Sequence, residues 1–148
     1  FQELQSSEQA HSLWIFSQLN RSALNCAADL DPSAWQDLLV AALLHDVGKS
    51  RYPLRLWERV VIVLGKAFFP QLVNAWGLQP LGGWKMPFVV AAQHPAWGAE
   101  MAAQAGASQL AVELIRRHQE KIERTISGDE LSLEDQLLIH LQRFDEER

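Results

Sequence analysis

The sequence predicts an all-α fold, a single compact helical bundle, and three observations predict it. Apolar residues recur at three- and four-residue spacings along most of the chain, strand-type alternation is nearly absent, and Gly and Pro fall between the periodic stretches. The 148 residues suit one domain spanning 1–148, and 48% hydrophobic with 21% charged residues is enough to bury a core unaided. The single cysteine, Cys26, leaves no intrachain disulfide framework and no Cys-based zinc cluster, in keeping with a reducing, cytoplasmic setting. A net charge of −5 argues against a general binder of nucleic-acid polymers. The longest uncharged stretch, Ala67 to Trp84, is broken by Pro70, Gly77, Pro80, Gly82 and Gly83, so no membrane span is expected. No basic-then-apolar leader opens the chain at Phe1-Gln2-Glu3-Leu4, which reads as a cut from something longer, and a soluble protein is expected.

The first helix is expected from about Glu3 into the mid-twenties, with Leu4, Trp14, Ile15 and Leu19 on one apolar face. Asp31-Pro32-Ser33 supplies a turn and a cap, because proline tolerates the first helical turn and a side-chain oxygen can take up orphan amides. The second helix carries Leu38, Leu39, Ala41, Ala42, Leu43 and Leu44 and should end near Gly48. Leu54 to Phe69 reads as a third, with Leu56, Val60, Val63 and Ala67 at helical spacing, although the β-branched run Val60–Val63 also suits a strand. Pro70 to Lys85 reads as a short helix and a loop. Further helices are expected over Pro87 to Gln93, Pro95 to Ala105, Ser108 to about Ile126, and Leu133 to the C-terminus, with Gly106 and Gly128 as stops.

Three of the five histidines fall on apolar stripes, each on a different expected helix. His11 precedes Trp14 and Ile15, His45 follows Ala41 and Ala42, and His118 follows Leu114 and Ile115, always by three and four residues. A lone inward histidine is usually a hydrogen-bonded core residue, but several with carboxylates close by point to a shared metal ion. His45 and Asp46 are adjacent, and neighbours on a regular helix point about 100° apart. They can converge on one ion only near a helix end.

The segment Ala41-Ala42-Leu43-Leu44-His45-Asp46-Val47-Gly48-Lys49 resembles the signature of the HD superfamily of metal-dependent phosphohydrolases. His11, thirty-four residues before His45, is similar to that family's upstream ligand. His94-Pro95-Ala96-Trp97-Gly98-Ala99 is similar to the HPxxGA segment of its two-metal members, and His118 lies in a segment similar to their second added histidine motif. The GYP motif of the cyclic-di-GMP-degrading subgroup is missing. The resemblance implies a metal set of His11, His45, Asp46, His94, His118 and Asp145, with Asp46 as bridging carboxylate. Phe144 stands where a small residue is common before the last ligand, and another register would place Gln142 there. The same resemblance implies two divalent transition-metal ions (Mn, Fe, Co, Ni or Zn), a water acidified between them, and a nucleotide or other small phosphorylated substrate; dinucleoside polyphosphates are one candidate.

A basic island follows the motif: Lys49, Arg51, Arg55, Arg59 and Lys66 against one acid, Glu58. Lys49, Arg55 and Arg59 are candidates for holding substrate phosphates, with Lys49 also a candidate catalytic residue beside Asp46, although a charge run is ordinarily a solvated face. Arg55 and Arg59, four residues apart, could share a helix face. His140 lies five residues from Asp145 and reads as structural or exposed. Trp14 and Trp35 read as core, whereas Trp76, Trp84 and Trp97 suit either core or a pocket that stacks a base. Phe68-Phe69-Pro70 is a candidate homo-oligomer contact. Two other functions fit the residues: a di-iron oxygenase using the same ligands, and a non-catalytic binding module.

Overall fold

The computed structural model describes residues 1–26, 31–122 and 131–146, and every regular element among them is helical. In chain order these are α1 (Ser6–Cys26), α2 (Pro32–Leu44), α3 (Leu56–Phe68), α4 (Pro70–Gly77), α5 (Met86–Gln104), α6 (Gln109–Arg117) and α7 (Leu133–Glu146), with a 3-10 turn at Val47–Arg51. The 3-10 turn, α3, α4 and α6 all pack on α5. Around its C-terminal half lies the larger core, where Ile15, Leu19, Leu38, Leu114, Leu137 and Leu141 close over Ala99 and Ala102. A smaller cluster at its N-terminal half joins Leu54, Ile62 and Val73 to Phe88, Val90 and Trp97.

Local chemistry sets most of the ends. Ser108 caps α6, its Oγ accepting from the Ala111 amide at 3.0 Å. Glu58 turns back to accept from the Arg55 amide at 2.7 Å and receives the Tyr52 hydroxyl at 3.0 Å, which fixes the start of α3 and explains an acid buried within the basic island. The β-branched run Val60–Val63 is therefore helical. Gly106, at φ +86°, ends α5 as expected, with the Ala107 amide donating back to the Ala102 carbonyl. Asp31 does precede α2, but its carboxylate accepts the Ser33 hydroxyl and caps no amide.

Elsewhere the structure corrects the sequence. The pattern suggests two helices meeting at Pro95, yet α5 runs through it. Proline removes the bond to the Ala91 carbonyl and costs about 3 kcal/mol in a helix interior. Burial of Val89, Val90, Trp97 and Ala99 on either side outweighs that cost. Helix α1 begins at Ser6, after a turn that still buries Leu4. Helix α6 ends at Arg117; Ile126 and Gly128 lie outside the described residues. Arg117 bonds Glu120, Glu134 and Asp135, tying the end of α6 to the start of α7.

Gly48 is no helix stop. Helix α2 has already ended at Leu44, and Gly48 instead lets the 3-10 turn lie directly on α5. A Cβ there would stand 2.0 Å from the His94 carbonyl oxygen and 2.7 Å from the Gly98 amide nitrogen. At Gly98 a Cβ would meet Gly48 nitrogen at 3.2 Å and Ile115 at 3.3 Å, a tight but less severe contact. Gly48→Ala should therefore cost about 3 kcal/mol of stability and Gly98→Ala distinctly less, as read from urea denaturation midpoints. Equal midpoints for Gly48→Ala and the parent would show that the turn can lift from α5 freely.

Candidate metal centre

The six residues that the sequence singles out as ligands come from five helices and meet at one point. His11 projects from α1, His45 and Asp46 follow α2, His94 lies in α5, His118 follows α6, and Asp145 closes α7. Their ligating atoms fall into two groups, His11/His45/Asp145 and Asp46/His94/His118, each with all atoms within 4.8 Å of one another. His11 Nε2 is 2.8 Å from Asp145 Oδ1, and His45 Nε2 is 3.7 Å from the same oxygen. Asp46 stands between the groups. Its Oδ1 faces His94 Nε2 at 3.3 Å and His118 Nε2 at 3.9 Å, while its Oδ2 is 3.6 Å from His45 Nε2 and 2.7 Å from Lys49 Nζ.

Helix ends explain this convergence. The last carbonyls of an α-helix lack intrahelical donors. His45 and His118 sit at the C-caps of α2 and α6, and their Nδ1–H groups donate to Ala42 O at 2.9 Å and Ile115 O at 2.8 Å. His94 Nδ1–H donates one turn back to Val90 O at 2.9 Å. All three rings are thereby held with Nε2 aimed at the centre. Asp46 then leaves the helix, at φ −97° and ψ 1°, as the residue before the 3-10 turn. That turn is how adjacent His45 and Asp46 come to face the same place.

The electrostatics call for a cation. Burial would push the Asp46 carboxyl up, but hydrogen bonding to His94 and electrostatic attraction to His45, Lys49 and His94 outweigh it and hold the carboxyl well below its usual range. Asp145 is likewise held low against its burial, chiefly by the hydrogen bond from His11. Burial, then the neighbouring His45 and His94, pushes His118 down to about 4, so it is neutral at pH 7. His45 Nε2 is buried without any hydrogen-bond partner. Imidazole nitrogens and carboxylate oxygens thus crowd together beside a cavity, with His45 Nε2 left unsatisfied. A divalent cation suits this donor set of imidazole nitrogen and carboxylate oxygen.

A cavity of about 260 Å³ opens on the centre, bounded by Ser7, Glu8, His11, Asp46, Lys49, Arg59, His118, Gln119 and Asp145. A second, of about 230 Å³, shares Glu8, Lys49, Arg59 and Gln119 with it and extends between α3 and α5 along Leu54, Ile62, Val63 and Ala91. Arg59 is oriented by Glu8 Oε1 at 2.7 Å and by Gln5. Arg55, by contrast, is exposed at the start of α3 and bounds neither cavity, because it precedes the first helical turn and does not share the face of Arg59. Gln142 donates to the His118 and Glu120 carbonyls, so of the two registers it is Asp145 that reaches the centre. His140 stacks edge-on against Trp35, away from both groups. Trp35 and Trp97 are buried, Trp14 packs partly buried against the core, and no tryptophan bounds either cavity. Glu8 and Gln119 are cavity residues that the sequence pattern did not single out. Glu8 had a signal, three residues before His11 on one helix face; Gln119 had none.

The chain matches the HD domain family over residues 11–146, from the first of these ligands to just past the last. It belongs to that family. No curated protein and no solved structure gives a match. HD domains make up a superfamily of metal-dependent phosphohydrolases, and the His/Asp groups described above are this HD domain's candidate metal sites. Replacing His45 by Ala should lower metal affinity at least about tenfold while leaving the far-ultraviolet helical signal in place. Full metal content by elemental analysis in that variant would contradict its assignment as a ligand.

Proposed function

We propose that this HD domain hydrolyses a phosphoester or phosphoanhydride bond of a nucleotide or other small phosphorylated compound, using two transition-metal ions. The observation that carries the reading is Asp46, whose two oxygens face separate histidine groups while Lys49 and Arg59 border the same cavity. His11, His45 and Asp145 would hold one ion and His94 and His118 the other, with Asp46 between. Mn, Fe, Co, Ni and Zn all suit these donors. When bound, such ions supply an acidified water and offset the charge of a phosphoryl group.

The chain's own residues supply the remainder. Lys49, held by Asp46 and three-quarters buried, places an ammonium where a phosphate oxygen or leaving oxygen enters, and can donate a proton to it. Arg59, clamped by Glu8 and Gln5, is a rigid second cation for a phosphate further along the cavity. The full set of ligand positions supports catalysis over a purely binding role, and the neighbouring cations support phosphate over dioxygen.

Elemental analysis of the purified chain should give close to two ions per protomer, followed by phosphate release from a panel of nucleotides and dinucleoside polyphosphates. Lys49→Met should lower kcat about a hundredfold with metal content kept. Arg59→Lys should mainly raise KM, and Arg55→Ala should change neither constant. Oxygen uptake dependent on iron, with no phosphate release from any compound, would replace this reading by an oxygenase.

A further inference from the structure

Helix α3 is apolar on two sides, and the fold uses only one of them. Ile62 and Gly65 face inward onto Val73 and Phe88. Leu56, Trp57, Val60, Val63, Leu64 and Phe68 remain between 48% and 79% exposed. At about 100° per residue these six form a continuous stripe about 140° wide along the helix. Exposed Phe69 and Leu72 carry it over the start of α4, where they share a shallow cavity with Phe68 and Pro70. Single exposed apolar side chains are ordinary, whereas a contiguous face of this kind marks a binding surface.

Charge indicates what binds there. Between Asp46 and Glu100 the sequence carries six cations (Lys49, Arg51, Arg55, Arg59, Lys66 and Lys85) and one acid, Glu58, which is buried. Three of the cations pair with Asp46, Glu100 and Glu8. Arg55, Lys66 and Lys85 form no ion pair among the described residues. Arg55 opens α3 and Lys66 lies in its last turn, where it also borders the smaller cavity beside Arg59 and Val63, so uncompensated positive charge follows the edge of the apolar stripe nearest that cavity. Nearby in sequence, Lys85 lies over the ring of exposed Trp84.

A second copy of this chain is disfavoured as occupant, because a two-fold contact would set the cationic surplus against itself. No described helix is long and apolar enough to cross a membrane. An aromatic and aliphatic helix face edged by Lys and Arg has the make-up of a helix that lies in the headgroup region of acidic membranes. We infer that the outer face of α3, continued by Phe69 and Leu72, docks on the surface of an anionic lipid bilayer.

The test mixes the purified chain with vesicles of phosphatidylcholine alone, or of phosphatidylcholine with phosphatidylglycerol, and reads co-sedimentation and tryptophan emission. Co-sedimentation with the anionic vesicles only, with a blue shift as Trp57 leaves water, is the expected result. Trp57→Glu/Phe68→Glu should weaken it about tenfold or more, with helical signal and metal content unchanged. Leu13→Glu, in a separate exposed apolar patch with Val40 and Leu43, should leave it intact. Absence of binding, or equal binding to neutral vesicles, would overturn the inference, as would equal loss in Leu13→Glu. A dimer that the double variant dissolves, without vesicle binding, would assign the face to a second copy instead.

Discussion

The metal centre depends on two backbones touching. The 3-10 turn after α2 lies on α5 so closely that no side-chain carbon fits at Gly48, and that contact brings Asp46 within 3.3 Å of His94. Gly48 is needed for distance and not for an unusual dihedral, since the positive-φ glycines are Gly82, Gly83 and Gly106. Gly98 stands on the other side of the same contact. The two motif glycines, one after His45-Asp46 and one after His94-Pro95, are therefore halves of a single crossing. Whatever separates the turn from α5 separates Asp46 from His94, even with every ligand in place.

Given that crossing, helix termini do the aiming. A histidine at a helix C-cap meets two needs at once, because its Nδ1–H satisfies a carbonyl that the helix cannot and its Nε2 is aimed at the centre. The arrangement is unfavourable in isolation. It buries a carboxylate held anionic, a histidine held neutral and an imidazole nitrogen with no partner. Such a cluster persists because the surrounding core, from Ile15 to Leu141, fixes the helices independently of it. The stability of the bundle and the polarity of its centre are thus supplied by different residues.

This division explains what the sequence disclosed. Histidines on apolar stripes stand out because a polar group repeated on a buried face violates the pattern, so His11, His45 and His118 were visible one helix at a time. Asp145 was harder: it sits at the helix end, and choosing it over Gln142 depends on how α7 rolls against α6, which no local spacing encodes. Pro95 misled because a proline inside a helix is locally unfavourable, and only the long-range burial of α5 reverses that preference. Arg55 misled for a related reason. Four-residue spacing places two side chains on one face only when both are in the helix, and Arg55 stands before its first turn. Glu8 looked like any surface acid, although its pairing with Arg59 makes it the buried link between α1 and α3.

The charge distribution joins the centre to its surroundings. Residues 47–99 carry a surplus of five positive charges in a chain of net −5, so the rest of the chain is strongly acidic. Five of the six candidate ligands lie in that acidic remainder, on or just after α1, α2, α6 and α7, while His94 and the cavity cations Lys49 and Arg59 come from the basic segment. On the proposed reading, an anionic substrate within a Debye length, about 8 Å at physiological salt, would be attracted by these cavity cations. The same bias would operate if the metal positions were filled, because the ions would offset the carboxylates Asp46 and Asp145 without adding negative charge. On the proposed reading Arg59 biases approach alone while Lys49 also takes part in the chemistry, so a substitution at Arg59 would slow the first without altering the second.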